Sequence, residues 1–100
     1  MSGETNIDPI SQVASAKYAV NNITVATVVK ALTGRLVRVS VSVAGAAGSI
    51  NDCATVGTVA AANQICVIPA AIGVTYLDWP CYVGITISPG AGQTVSVSYS

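Results

Sequence analysis

The side chains able to do chemistry are few in this chain, and their spacing matches none of the common catalytic arrangements. Histidine is absent, which removes the commonest general base and the commonest metal ligand. The four acidic residues, Glu4, Asp8, Asp52 and Asp78, are too scattered to suggest a carboxylate pair. No glycine-rich segment has the Gly-Lys-Ser/Thr ending of a phosphate-binding loop. We therefore predict a protein that is not an enzyme and that uses no cofactor or metal.

The three cysteines, Cys53, Cys66 and Cys81, are an odd number, which argues against a complete disulfide framework. No two of them have the CxxC spacing of zinc and redox sites. We expect free thiols that are buried as small hydrophobic side chains, as suits folding in a reducing cytoplasm. One disulfide together with one free thiol is the alternative.

Charge is scarce: 8% of the residues are charged and the net charge is zero, whereas an ordinary soluble domain has about 25% charged residues. Because a free monomer normally needs surface charge to stay soluble, this composition favours a subunit whose surface is largely covered by other proteins. An extracellular β-domain wetted by its Ser and Thr hydroxyls is the alternative. The four cations, Lys17, Lys30, Arg35 and Arg38, are too few for a nucleic-acid footprint.

Three aromatic residues, Tyr76, Trp79 and Tyr82, lie close together in the sequence and are candidates for contact with a partner. They either stack on a sugar ring or supply one core aromatic and some packing at a sheet edge. We favour the second interpretation, because aromatic side chains carry much of the burial in a small core.

Two arginines are the charged candidates for partner contact. Arg35 and Arg38 are three residues apart on a predicted strand, so we expect them to point to opposite faces. They dock on an acidic neighbour, pair within the fold with Asp52 or Asp78, or are simply solvated.

The first 16 residues are polar and show no sustained period. They are either a disordered terminus or an arm that orders on a neighbouring subunit, with Ile7, Ile10 and Val13 as its anchors. They lack the basic and apolar regions of a signal peptide, and no run in the chain approaches the roughly 18 apolar residues of a membrane span. We expect neither secretion by the usual route nor insertion in a membrane.

We predict that residues 17–100 form a single β-domain. The hydrophobic fraction of 52% is rich in Val and Ala and contains no Phe, and β-branched residues favour strands. Strands are predicted over residues 17–30 (one or two, with a turn or bulge at Asn21 and Asn22), 35–44, 49–55, 65–68, 74–77, 81–88 and 94–100. Residues 56–62 allow one helical turn. Seven or eight short strands at this spacing predict an antiparallel β-sandwich or jelly roll.

The alternation of residue types predicts the core and the wet faces of these strands. The predicted core consists of Val37, Val39, Val41, Val43, Val83, Ile85, Ile87, Val95 and Val97. The wet face of the second predicted strand consists of Leu36, Arg38, Ser40 and Ser42. The Ser and Thr side chains of residues 94–100 either line a hydrogen-bonding surface or, as we favour, simply face water. Residues 88–91 predict a type II turn with Gly90 at positive φ.

The segments GRLVRVSVSVAGAAGSI, ANQICVIPA and LDWPCYVGITISPGAGQTVSVSYS resemble small virion proteins of tailed bacteriophages. The resemblance spans roughly residues 30–100, and it lies in the order of strands and turns. It implies a capsid decoration or cement protein with a jelly-roll or β-sandwich fold. Such a protein binds the outer surface of the shell of major capsid protein and stabilises the virion.

Two functions are therefore expected. The first is a cement protein that is made in the bacterial cytoplasm, associates as a homotrimer or homodimer, and contacts the major capsid protein. The second is a small carbohydrate- or host-receptor-binding domain of a phage tail or fibre. Exposure of the three aromatics on one flat face would favour the second function, and their burial would favour the first.

Overall fold

The computed structural model of this protein describes residues 17–100, and regular structure there is almost entirely β-strand. The described residues form eight strands and two single-turn 3-10 helices, with no α-helix. The strands are β1 Tyr18–Ile23, β2 Thr27–Lys30, β3 Gly34–Val43, β4 Gly48–Asn51, β5 Gln64–Ile68, β6 Gly73–Cys81, β7 Ile85–Ser88 and β8 Thr94–Tyr99. The 3-10 helices, Val56–Thr58 and Ala61–Asn63, lie in and just beyond the segment that allowed a helical turn.

The strands form two four-stranded antiparallel sheets. The first sheet has the order β1-β8-β3-β6, and the second has the order β2-β7-β4-β5. Hydrophobic side chains of both sheets belong to one buried cluster, so the sheets pack face to face as a β-sandwich. The predicted fold class and strand number are confirmed.

The core is a single cluster to which both sheets contribute. Six predicted core residues belong to it, namely Val39, Val41, Ile85, Ile87, Val95 and Val97. It also contains residues that the prediction did not select, namely Ile23, Leu36, Ile50, Ile68 and Cys81. Full burial of each large aliphatic side chain stabilises the fold by about 1.5–3 kcal/mol, so this cluster holds the two sheets together.

A bulge in β3 explains why this strand departs from simple alternation. Its register with β8 passes from the pair Leu36–Tyr99 to the pair Arg38–Ser98, which leaves Val37 as the extra residue. Because an extra residue reverses the alternation beyond it, Leu36 points into the core instead of onto the wet face where it was predicted. Val37 is buried, but it lies outside the main cluster.

Two valines of the predicted core are in fact exposed. Val43 follows a second irregularity of β3 and is 50% exposed. Val83 is 55% exposed because the predicted strand over residues 81–88 is divided. β6 ends at Cys81 and β7 begins at Ile85, so Val83 lies in the turn between them.

β6 is longer than the predicted strand over residues 74–77. It continues through Asp78, Trp79 and Pro80, with a bulge where Leu77 and Asp78 of β6 face the single residue Val37 of β3. Asp78 adopts a φ of 49° at this bulge. Pro80 lacks the N–H that a central strand requires, and it is tolerated because β6 lies at the edge of its sheet.

The turn before β8 differs from the predicted one. The Gln93 N–H donates to the Gly90 carbonyl over 3.0 Å, and the positive φ of 75° is at Gly92. The glycine in the left-handed region is therefore two residues later than predicted. Gly90 is needed for a different reason, because a Cβ at this position would collide with the backbone of Ala46.

Each edge strand of the described sandwich carries a bulge. The irregular residues are Asn22 in β1, Val29 in β2, Ile65 in β5 and Asp78 in β6. Of the turn or bulge predicted at Asn21 and Asn22, the structure has the bulge, and Asn22 has a φ of 57°. Bulges twist an edge strand and interrupt its ladder, which hinders pairing with another chain.

Candidate functional site

The predicted partner contacts fall in two parts of the chain. Ile7, Ile10 and Val13 lie outside the described residues. The other five candidates all lie on or beside β3 and β6, which are neighbours in the first sheet.

The two arginines share the outer face of the first sheet, so the prediction that they point to opposite faces is wrong. The cause is again the bulge at Val37, because Leu36 points inward and both Arg35 and Arg38 therefore point outward. Arg35 pairs with an acidic residue of the fold, as one alternative proposed. Its Nη1 lies 2.8 Å from Oδ1 of Asp78, and both side chains are exposed.

Arg38 borders a shallow groove on the same outer face. The groove has a volume of about 310 Å³, and we call it the Arg38 groove. Residues from all four strands of the first sheet line it: Ala19, Asn21, Arg38, Ser40, Val74, Tyr76, Ser96, Val97 and Ser98. The guanidinium carbon of Arg38 lies 5.3 Å from the centre of the Tyr76 ring, within the range of a cation–π contact.

The groove also contains polar atoms that have no partner. Arg38 Nε and Ser98 Oγ are buried, and neither makes a hydrogen bond with any residue that the structure describes. They belong to directly paired residues of β3 and β8. Because unpaired buried polar atoms are rare and destabilising, this pair marks the groove as unusual for a sheet face.

The three aromatic candidates are all exposed, by 74% for Tyr76, 48% for Trp79 and 74% for Tyr82. The expectation that one of them is a core aromatic is therefore wrong. They do not form one flat platform either. Tyr76 pairs with the outward-facing Arg38, whereas Trp79 pairs with the inward-facing Leu36, so the two rings belong to opposite faces of β6.

Exposed apolar side chains, including these aromatics, are concentrated along β6, on both of its faces, and in the turns at its two ends. Six of the twelve large hydrophobic side chains that are exposed in the described domain fall within residues 72–83. They are Ile72, Val74, Tyr76, Trp79, Tyr82 and Val83, and we call them the β6 surface. An apolar concentration of this kind is typical of an interaction site.

Asp52 fixes the part of this surface that lies in the β6–β7 turn. Its carboxylate accepts backbone N–H bonds from Tyr82 at 2.9 Å, Val83 at 2.8 Å and Gly84 at 3.1 Å. Burial raises the pKa of the Asp52 carboxyl, but the three N–H bonds outweigh it, so the pKa lies below its ordinary value of 3.8. Sequence reasoning missed this role because some thirty residues separate Asp52 from the turn.

The three cysteines are free thiols. Burial and the nearby negative charge of Asp52 raise the pKa of the Cys81 thiol to about 11, and burial also raises that of Cys66. Because the thiolate is the reactive form, Cys66 and Cys81 are poor nucleophiles at neutral pH. They act as packing groups, and Cys81 belongs to the core cluster.

Comparison of the chain with protein-family models, with curated proteins and with solved structures gives no match. In the described residues no group of three or more Cys, Asp or Glu side chains is placed to hold a metal ion. No helix within residues 17–100 is long and apolar enough to cross a membrane. The Arg38 groove and the β6 surface are therefore the features from which a function can be argued.

Proposed function

We propose that this protein is a capsid decoration or cement protein of a tailed bacteriophage. It is made in the bacterial cytoplasm, binds the outer surface of the shell of major capsid protein, and stabilises the virion without catalysing a reaction. The observation that carries the proposal is the β6 surface, on which half of the exposed large hydrophobic side chains are gathered within twelve residues.

The β6 surface suits attachment to another protein. Aromatic side chains are enriched at the energetic centres of protein interfaces, and Tyr76, Trp79 and Tyr82 project here. The surface is also held in a defined shape, because Asp52 fixes the turn that carries Tyr82 and Val83. A surface that is ordered before binding loses less conformational entropy when the partner docks.

Multiple copies would make such attachment strong. Each contact on a symmetric shell can be weak, because the linked sites of an oligomer raise the effective concentration of the next contact. We propose a homodimer or homotrimer that matches a symmetry axis of the shell. Since the described edge strands all carry bulges, the subunits would associate through side chains instead of continuing a sheet.

The proposal is tested by mutating the β6 surface. We expect Val83→Ser and Tyr82→Ser to weaken binding of the protein to particles that lack it, while the domain stays folded. Val25→Ser is the matched control for Val83→Ser, because Val25 is also an exposed valine but lies outside residues 72–83. Binding is measured by co-sedimentation, and stabilisation by the temperature at which particles release their genome.

Three results together would support the cementing role. Particles with the wild-type protein should release their genome at a higher temperature than particles without it. The Val25→Ser protein should act like wild type, and the β6 variants should not. A protein lacking residues 1–16 should keep its fold, because the core lies within residues 17–100, but attach more weakly. Equal release temperatures with and without the wild-type protein would refute the proposal.

A second candidate function is a small carbohydrate- or host-receptor-binding domain of a phage tail or fibre. The Arg38 groove favours it, because an exposed tyrosine ring stands beside a row of hydroxyl groups. Copy number per particle separates the two functions, since a capsid protein should be present in far more copies than a tail protein. Binding of the protein to a glycan array tests the second candidate directly.

A further inference from the structure

We propose that the Arg38 groove binds a uronic acid, that is, a sugar ring bearing a carboxylate. This inference rests on the second candidate function and adds the chemical class of its ligand. It is independent of the β6 surface as a docking site, because the groove lies on the outer face of the first sheet and only Val74 and Tyr76 belong to both.

Charge is the first property of the groove that points to this ligand. Arg38 places a permanent positive charge beside the groove, and no acidic side chain within residues 17–100 is available to balance it. The two acidic side chains in that range are both engaged elsewhere. Asp78 pairs with Arg35, and Asp52 accepts the three N–H bonds of the β6–β7 turn. The charge of Arg38 therefore favours an anion other than these two side chains.

Two buried polar atoms of the groove, Arg38 Nε and Ser98 Oγ, have no hydrogen-bond partner among the described residues. The planar guanidinium offers Nε and one terminal nitrogen as two parallel donors, and a carboxylate accepts from both at once. If Arg38 turns toward an anion in the groove, its Nε gains a partner. The Ser98 hydroxyl then lies beside the same group and can donate to it.

The side chains along the groove favour a sugar over a peptide as the rest of the ligand. Ser40, Ser96 and Asn21 supply short polar groups along the groove, which match the hydroxyl groups of a ring. Tyr76 supplies an exposed ring at the border of the groove, which has a volume of about 310 Å³. A common way for a peptide to bind a sheet is to add a strand at its edge, and the bulges at Asn22 and Asp78 hinder that on both edges.

The experiment is a titration of the full-length, 15N-labelled protein with three probes, followed by NMR. Methyl glucuronide carries the ring and the carboxylate, methyl glucoside carries the ring alone, and N-acetylglutamate amide carries a carboxylate alone. We expect the glucuronide to shift amide signals of β3 and β8 around Arg38 and Ser98. It should bind at least about tenfold more tightly than either other probe, which corresponds to one charge-assisted hydrogen bond.

Two variants test the role of the guanidinium. Arg38→Lys keeps the charge but loses the pair of parallel donors, and we expect about a tenfold loss of glucuronide affinity. Arg35→Lys is the matched control on the same face, and it should bind like wild type. The dispersion of the amide spectrum shows that each variant is folded.

Each other result overturns a definite part of the argument. Equal binding of the glucoside and the glucuronide would refute the acidic ligand but retain a sugar-binding domain. Absence of binding by all three probes would refute this inference, and the glycan array would then decide the second candidate function separately. Equal binding of the glutamate derivative would make the groove a site for acidic side chains of a protein. An unchanged affinity in a folded Arg38→Lys protein would refute the role of the guanidinium.

Discussion

Asp52→Asn should destabilise the domain more than any other single loss of charge within residues 17–100. The carboxylate uses both oxygens, since Oδ2 accepts from the Tyr82 N–H and Oδ1 accepts from those of Val83 and Gly84. An asparagine side chain retains one acceptor oxygen and replaces the other with a donor. One hydrogen bond is therefore lost, and the other two change from charge-assisted to neutral.

The magnitude follows from these three bonds. A hydrogen bond to a charged group contributes about 1.5–3 kcal/mol net, and a neutral one contributes about 0.5–1.5 kcal/mol. We use the low end of each range because Asp52 is only partly buried. These low ends give a loss of about 3.5 kcal/mol, and solvent screening of the partly exposed carboxylate reduces the expected loss in the free energy of unfolding to about 2 kcal/mol. A loss of this size lowers the Tm of a domain of this size by roughly 10 °C.

This loss should depend on pH in a defined direction. The pKa of Asp52 is lowered in the folded protein, so the folded state binds the proton less readily than the unfolded state does. The stabilisation is fully present above the unfolded-state pKa of about 3.9 and disappears as the pH falls through the lower folded-state pKa. The difference between wild type and Asp52→Asn should therefore be largest near neutral pH and shrink toward pH 2.

Urea unfolding followed by circular dichroism measures this difference at each pH. Asp78→Asn is the matched control, because it removes the same charge from an exposed ion pair, which contributes about 0–1 kcal/mol. If Asp52→Asn and Asp78→Asn were equally stable at pH 7, the three N–H bonds would not stabilise the turn. A difference that did not change with pH would contradict the assigned pKa.

Three other outcomes test the core, one glycine and the thiols. Val39→Asp should cost several kcal/mol by placing an unpaired charge in the core, and a variant that melts within a few degrees of wild type would contradict the core assignment. Gly90→Ala should lower the free energy of unfolding by about 1–3 kcal/mol through overpacking, measured in urea, whereas Gly57→Ala, which has open space around it, should cost far less. Alkylation under native conditions should modify the partly buried Cys66 before the fully buried Cys81, and mass spectrometry that found either in a disulfide would contradict the free thiols.

The strands could be predicted from sequence where alternation runs undisturbed. The alternation of apolar and polar residues correctly predicted Val39, Val41, Val95 and Val97 as core residues, because each lies on a regular stretch of β3 or β8. The alternation did not predict the bulge at Val37, because nothing in the run of valines and small polar residues marks the extra residue. A bulge depends on the register with the neighbouring strands, and that register is a property of the whole sheet.

The candidate surfaces were predictable only as a set of residue types. The sequence singled out Arg38, Tyr76 and Tyr82, but their arrangement depends on the pairing of β3 with β6. Ser98 was expected on a wet strand face, and its role beside Arg38 follows from the pairing of β3 with β8. Long-range contacts of this kind leave no local pattern in one sequence.

The bulges at the four edges of the sandwich affect how readily folded copies of this protein aggregate. Many soluble proteins keep their copies apart through repulsion between like charges, which salt screens and pH alters. With 8% charged residues and no net charge, this protein has little such repulsion. Protection that resides in backbone shape does not depend on ionic strength. Folded copies should therefore resist edge-to-edge aggregation equally well in dilute buffer and in concentrated salt.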